Sequence, residues 1–543
     1  MQIETVADVQ RQIDAWQAEH TGANLSVAHL LCDRYADTPD RIALRYEDAT
    51  GAQQTFTFAR LRDQSARFAT VLRAMGVGKG DRVATLLPKS PELMIATLAI
   101  WWLGAVHVPL FTAFGPQAIS FRTENSGTHV VITDAANRTK LTGMDLRVVT
   151  VEGPDAATLR HDDDVPFWSS LRAAALLADV VTVTGDDLFI LIYTSGTTGY
   201  PKGVEVPVRA LTAFAIYMRF GLDVRDDDLF WNIADPGWAY GLYYALVGPL
   251  LLGMPTLFIN APFSVDGTLH ILRNYGVTNF AAAPTVYRAM RATGLRDVRD
   301  GLRLRVLSSA GEPLNPDVIA WAEQTLGVPI HDQYGQTEHG MMIVNHNTPA
   351  LRQPLRPGSM GVQMPGFRAV IVDDDGNERG PGEEGQIGLD IPQSPIYWFR
   401  GYYEAREWSD KRIVGGGRYY LSGDAASRDA DNFFYFSGRA DDIISSAGYR
   451  IGTFEVESAL MQHPAVAEAA AVGKPDELRG EVVTAFVVLK AGHAPTDALA
   501  AELSQSVKTN LSAHAYPRAI TFVDQLPKTP SGKVQRFLLR QQA

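Results

Sequence analysis

Apolar and polar positions along the chain follow two periods. Residues 43–60 alternate at every second position around the turn Asp48-Ala49-Thr50-Gly51, as a hairpin with one buried face would. Residues 58–75 then repeat apolar side chains every three or four positions, which predicts an amphipathic helix. Gly76-Val77-Gly78-Lys79-Gly80-Asp81 stops that helix, and 82–87 reads as a strand. The succession recurs: a helix over 92–103 feeds a strand over 106–110, and 269–275 feeds 279–283. A helix over 286–292 precedes a strand over 304–308, and a helix over 316–326 precedes a strand over 330–334. Helices and strands in alternation predict a layered α/β unit.

Beyond residue 361 the pattern turns to short strands with frequent turns. Strands are expected at 370–372 and 385–391 with the turn Asp373-Asp374-Asp375-Gly376-Asn377 between them, which suggests a β-rich subdomain over about 361–437. The last hundred or so residues carry their own helix, 453–462, and a strongly strand-like 482–489. The expected fold class is α/β: a large multilayered N-terminal domain, 1–440, with the β-rich subdomain, and a small α+β C-terminal domain, 441–543, meeting at Asp441.

Composition narrows the functional classes. The chain has 543 residues, too many for one core, with 46% hydrophobic and 20% charged residues. A formal charge of -12 and the lack of a basic run argue against a nucleic-acid binder and favour small-molecule partners. Residues 93–114 and 242–259 are nearly free of charge, but Gly104 and Pro109 interrupt the first, and Gly248, Pro249, Gly253 and Pro255 the second. Each therefore reads as buried helix, turn and buried strand, with no membrane span expected. The first twenty residues are neither a secretory signal nor a transit peptide. Cys32, the single cysteine, lies in an apolar run, fits a reducing cytoplasm and is a poor candidate for a catalytic thiol.

The densest chemistry follows the apolar strand 188–193. Thr194, Ser195, Gly196, Thr197, Thr198, Gly199 and Lys202 place hydroxyls, glycines and one ammonium in a single loop, a composition suited to cradling phosphate. It is not a Walker A loop, because neither Tyr200-Pro201-Lys202-Gly203 nor Ser531-Gly532-Lys533-Val534 has that spacing. The ordered run Thr-Ser-Gly-Thr-Thr-Gly-x-Pro-Lys-Gly resembles the phosphate loop of the adenylate-forming superfamily of acyl-CoA synthetases, luciferases and peptide-synthetase adenylation domains. Five further segments resemble that family in family order. They are Ser309-Ala310-Gly311-Glu312-Pro313; Tyr334-Gly335-Gln336-Thr337-Glu338; Tyr420-Leu421-Ser422-Gly423-Asp424; Gly438-Arg439-Ala440-Asp441-Asp442 continuing to Gly448-Tyr449-Arg450-Ile451-Gly452; and Pro527-Lys528-Thr529-Pro530-Ser531-Gly532-Lys533.

The resemblance implies two half-reactions, with ATP, Mg2+ and CoA as cofactors: a carboxylic acid and ATP give acyl-AMP and pyrophosphate, and CoA then takes the acyl group. It implies that Glu338 holds Mg2+, and that Thr337, Gly311, Glu312, Pro313, Asp332, Gln333, Tyr334, Gly335 and Gln336 line the AMP site. Asp424 is expected to accept the ribose hydroxyls, with Arg439 beside it. Lys533 is expected to be catalytic in adenylation, and Asp441 to be the hinge of a mobile C-terminal domain. Ala447, Gly448, Tyr449, Arg450 and Arg479 would meet CoA. Trp238 and Tyr240 are expected in the acyl pocket. Acetyl-CoA-forming members carry tryptophan where Gly335 stands, so the glycine is expected to leave volume for a short- to medium-chain acid, or for Tyr240 to fill. A lysine acetyltransferase or deacetylase acting on Lys533 is a possible partner. The competing readings are adenylation for a carrier protein instead of CoA, and a non-catalytic nucleotide-binding regulator.

Overall fold

The computed structural model describes residues 5–152, 161, 163–194, 201–446, 449–476, 479–512, 514–529 and 532–542. Ser195, Gly196, Thr197, Thr198 and Gly199 of the expected phosphate loop therefore lie outside the described residues, as do Ala447 and Gly448 and the side chain of Arg450.

Among the described residues the strands form sheets of fourteen, seven and five. The largest has a parallel centre, in which Ile42–Glu47, Thr256–Ile259, Phe230–Asn232, Asn279–Ala282, Val306–Ala310 and Ile330–Gln336 lie side by side. The strand 304–308 expected from the sequence thus begins and ends two residues later. Helices such as Val265–Asn274, Pro284–Ala292 and Pro316–Leu326 return the chain between these strands, as parallel pairing demands. The strands beyond residue 361 do not form a sheet of their own. Ser359–Gln363 pairs with Gly340–Val344 on one side and with Phe434–Arg439 on the other, so the β-rich tract extends the parallel sheet in antiparallel fashion.

The seven-stranded sheet is parallel except at its edge, where Leu188–Thr194 and Lys202–Pro207 form a hairpin with Tyr193 opposite Gly203 and Thr194 opposite Lys202. The five-stranded sheet belongs to the C-terminal part, with Thr453–Met461 and Asp497–Asn510 packed on a separate apolar cluster.

One expected interruption is absent. Helical backbone runs from Ala239 through Gly248 and Pro249 to Leu251, with a π-turn at Leu242–Val247. Proline has no N–H to give the carbonyl four residues back. That carbonyl, on Ala245, accepts instead from the Thr256 hydroxyl at 2.7 Å, so the buried segment closes its own gap.

Candidate active site

The ends of neighbouring strands assemble the cleft. In a parallel sheet all carboxyl ends fall on one edge, the usual place for a ligand crevice. Gly311, Glu312 and Pro313 follow Val306–Ala310, while Thr337 and Glu338 follow Ile330–Gln336. The tract containing Trp238 and Tyr240 follows Phe230–Asn232. Glu312 is held by Thr285, whose hydroxyl is 2.8 Å from both carboxylate oxygens, and by an ion pair with Arg288. Asp332 and Gln333 are buried with hydrogen-bonding atoms unmatched by any described residue, and burial pushes the Asp332 carboxyl well above the carboxylate range. Unspent donors and acceptors of this kind suit the edge of a heterocyclic base.

Asp424 accepts three side-chain hydrogen bonds. Tyr334 donates its hydroxyl to one oxygen at 2.5 Å and Gln336 its amide at 2.6 Å, while Arg439 holds the other oxygen at 2.9 Å. The pairing of Asp424 with Arg439 across their antiparallel strands fixes that ion pair, and the carboxylate raises the Arg439 pKa further. Tyr420 in turn donates to Gln336 at 3.2 Å. A carboxylate offers about four lone-pair positions. Three are filled, so a ribose diol would take the last and share or displace one neighbour.

Glu338 is 7% exposed and accepts from the Tyr402 hydroxyl at 2.7 Å. Among the described residues no group of three His, Cys, Asp or Glu side chains gathers as a ready-made metal cage. A lone buried carboxylate fits an ion such as Mg2+ that is held largely by substrate phosphates. Tyr402 also ties the two larger sheets together. It bridges to Val204 in the hairpin strand, and the Tyr403 N–H bonds the Gly203 carbonyl at 2.8 Å. Lys202 leaves this hairpin strand, and its ammonium lies 3.6 Å from the Trp408 ring centroid and 5.4 Å from that of Tyr402. Burial first, then the charge of Arg412, lowers its pKa. Tyr402, Trp408 and Arg412 were not expected from the sequence: the segment 401–413 has no period and matches no motif, and its mixture of aromatic and basic residues is the one available signal.

On the acyl side, Trp238 packs against Phe111 and Phe114, with ring centroids 5.2 and 5.5 Å away. Tyr240 meets Tyr244 edge-on at 5.8 Å. The volume expected beside Gly335 is not open. A Cβ there would come within 2.6 Å of Met341 Cα and 2.7 Å of Met341 Sδ, and would also strike the Gly340 carbonyl. The cause is a break in register between Tyr334 and Gly335 that draws the neighbouring strand Gly340–Val344 onto the glycine. Met341 occupies the space, not Tyr240.

The C-terminal part brings Lys533 to the same edge. Thr529 and Lys533 close a turn through the Thr529 N–H to the Lys533 carbonyl at 2.8 Å, with Gly532 at φ +87. The Cβ position of that glycine lies 3.6 Å from Glu312, so the lysine's turn faces the Glu312 segment of the cleft. Asn315 donates to Ser458 at 3.3 Å across the same junction. Asp441 sits in the short turn Ala440–Asp442, whose backbone and side chains are tied by Arg536 and Arg540 from the last helix. Tyr449 is exposed and stacks on His514, and Ser446 pairs with Gly480, which brings Tyr449 and Arg479 to one end of the five-stranded sheet. These two are not part of the cleft formed by Glu312, Asp424 and Glu338.

Comparison with known families decides the class. The AMP-binding enzyme family matches residues 32–403, and the AMP-binding enzyme C-terminal domain matches residues 455–533. The chain belongs to the AMP-binding enzyme family. This AMP-binding enzyme is 37% identical over 524 residues to the acetyl-coenzyme A synthetase of Bacillus subtilis (strain 168), covering 95% of this chain and 90% of that one. It is 34% identical over 525 residues to human mitochondrial acyl-coenzyme A synthetase ACSM4, covering 94% and 88%. The crystal structure of a Brucella canis acyl-CoA synthetase superposes with a TM-score of 0.78 at 47% identity, covering 99% of both chains. The AMP-binding enzyme is an AMP-forming acid–thiol ligase that joins a carboxylic acid to CoA with ATP through an acyl-AMP intermediate. Among its described residues no helix is long and apolar enough to cross a membrane.

Proposed function

We propose that the enzyme activates a short- to medium-chain acid, with Lys533 as the residue that drives adenylation. The observation that carries this reading is the approach of the Gly532 turn, which bears the exposed Lys533, to Glu312. A carboxylate and an α-phosphate repel each other, and one mobile cation between them offsets that repulsion in the transition state. Around it, Asp424 and Arg439 hold the ribose. Gly311 to Pro313 and Asp332 to Gln336 take the base, with Thr337 beside the α-phosphate. Ser195 to Gly199 and Lys202 hold the departing phosphates. Glu338 would hold Mg2+, whose charge neutralises the triphosphate when bound.

The acid enters between Trp238 and Tyr240. With Met341 under Gly335, its length is limited by the tyrosine cluster behind Tyr240 and not by an open glycine slot. Rotation about Asp441 then replaces Lys533 with the 447–450 segment and Arg479 for the CoA step. A single buried thiol suits a reducing cytoplasm. Acetylation of Lys533 would remove the charge that adenylation uses and so switch the enzyme off.

Lys533→Ala tests the central claim. Carboxylate-dependent pyrophosphate release should fall by about two to three orders of magnitude, as for loss of one preorganised charge, while thioester formation from supplied acyl-AMP continues. Unchanged pyrophosphate release would refute the assignment. A panel of C2 to C8 acids at fixed ATP and CoA sets the chain length; a maximum with acids longer than C8 would overturn that part.

A further inference from the structure

We propose that Trp408 is a positioning residue for the phosphate-side lysine, its indole holding the Lys202 ammonium ready for the triphosphate. The backbone of Lys202 is fixed by pairing with Thr194, so its side chain leaves from one face of the hairpin. There it enters a region of positive charge: Arg412, Arg439 and Lys411 all act on it electrostatically. Among the described residues the one carboxylate that acts on its ammonium is Glu338, with which it forms no ion pair. The groups in contact are aromatic, Trp408 at 3.6 Å and Tyr402 at 5.4 Å, and the Lys411 ammonium lies further from the Trp408 centroid, at 4.6 Å.

The choice of an aromatic partner has a chemical consequence. A carboxylate would hold the ammonium by cancelling its charge and would then have to be displaced by phosphate. An indole face attracts a cation through its quadrupole, more weakly, and leaves the charge intact. Trp408 is 41% exposed, so its ring is not spent on a core. Its position is set by the same segment that grips the hairpin. The Tyr402 bridge to Val204 and the Tyr403 bond to Gly203 lock the 402–413 tract to the strand that carries Lys202. Tyr402 meanwhile spends its hydroxyl on Glu338, so one short segment adjusts both the lysine and the carboxylate.

This inference rests on the reading that Lys202 meets the departing phosphates, and the test separates the two. Initial rates at varied ATP would be measured on the full-length enzyme for Trp408→Ala, Trp408→Leu, Trp408→Phe, Lys202→Ala and the double variant Lys202→Ala/Trp408→Ala. Trp408→Ala should raise KM for ATP about 3- to 10-fold, in line with one cation–π contact, with KM for the acid within about twofold. Trp408→Phe, which keeps a π face, should recover most of the loss, and Trp408→Leu should not. In the Lys202→Ala background Trp408→Ala should add nothing. An unchanged KM for ATP in Trp408→Ala, rescue by leucine equal to that by phenylalanine, or an undiminished effect in the double variant would overturn the proposal while leaving Lys202 in place. If Lys202→Ala itself leaves KM for ATP unchanged, the underlying reading falls and the Trp408 role with it.

Discussion

At Gly335 the absent side chain sets the spacing between two strands. A Cβ at this position runs into Met341 and the Gly340 carbonyl, so even alanine has to push backbone apart. Gly335→Ala is therefore expected to cost roughly 1–3 kcal/mol in stability, as overpacked cores do, with the order of acid preference unchanged. Thermal unfolding and the acid panel check this; a variant of normal stability with a shortened acid range would restore the pocket role. The sequence exposed the glycine but not its neighbour. Nothing in Tyr334-Gly335-Gln336 reveals that the register breaks there, because a break in register is a property of two strands and the sequence displays one. Asp424 is the opposite case. Its motif was plain, and only the three donors crowded onto it needed coordinates.

Among the elements, the sequence pattern located both a helix with one buried face and strands buried throughout. The helix Pro316–Leu326 and the strands Ala369–Val372 and Asn279–Ala282 all lie within a residue or two of their expected positions. It missed the end of one buried helix. The buried helix, turn and strand expected over 242–259 are all present, but the helix runs through Gly248-Pro249, which looked like its end, to Leu251. There the strand that follows supplies a donor, the Thr256 hydroxyl on the Ala245 carbonyl. Thr256→Val keeps the shape and removes the donor, leaving a buried carbonyl unmatched. We expect a loss of about 1–3 kcal/mol, read by denaturant unfolding, with KM for ATP unaltered. Full stability in the valine variant would show that the π-turn satisfies itself.

For the molecule as a whole, acid should be destabilising through its buried imidazoles. His107 is fully buried against Thr85 at 2.8 Å, and desolvation lowers its pKa from 6.5 to about 3. The folded protein thus refuses a proton that the unfolded chain accepts below pH 6.5. The contribution is complete above that value and is lost progressively as the pH falls towards 3. At about 1.36 kcal/mol per pH unit, roughly 2 kcal/mol is gone by pH 5. His107→Gln retains a hydrogen-bonding group without the titration, and its midpoint temperature should fall less steeply between pH 6.5 and 4 than that of the parent; parallel slopes would remove His107 as a cause. The sequence also made the two-part organisation legible, through the change of texture after residue 361 and the Asp441 tract. It did not show that the β-rich tract continues the parallel sheet, since sheet edges join through pairings remote in sequence.

That continuity has a metric consequence. The proposed base and ribose contacts, from Glu312 to Arg439, all stand on the fourteen-stranded sheet, whereas Lys202 stands on the seven-stranded one, and Tyr402 clamps the gap between them. A nucleotide has to span that gap to touch both. The reach demanded of any ligand that touches both sheets is therefore set at one aromatic residue, Tyr402.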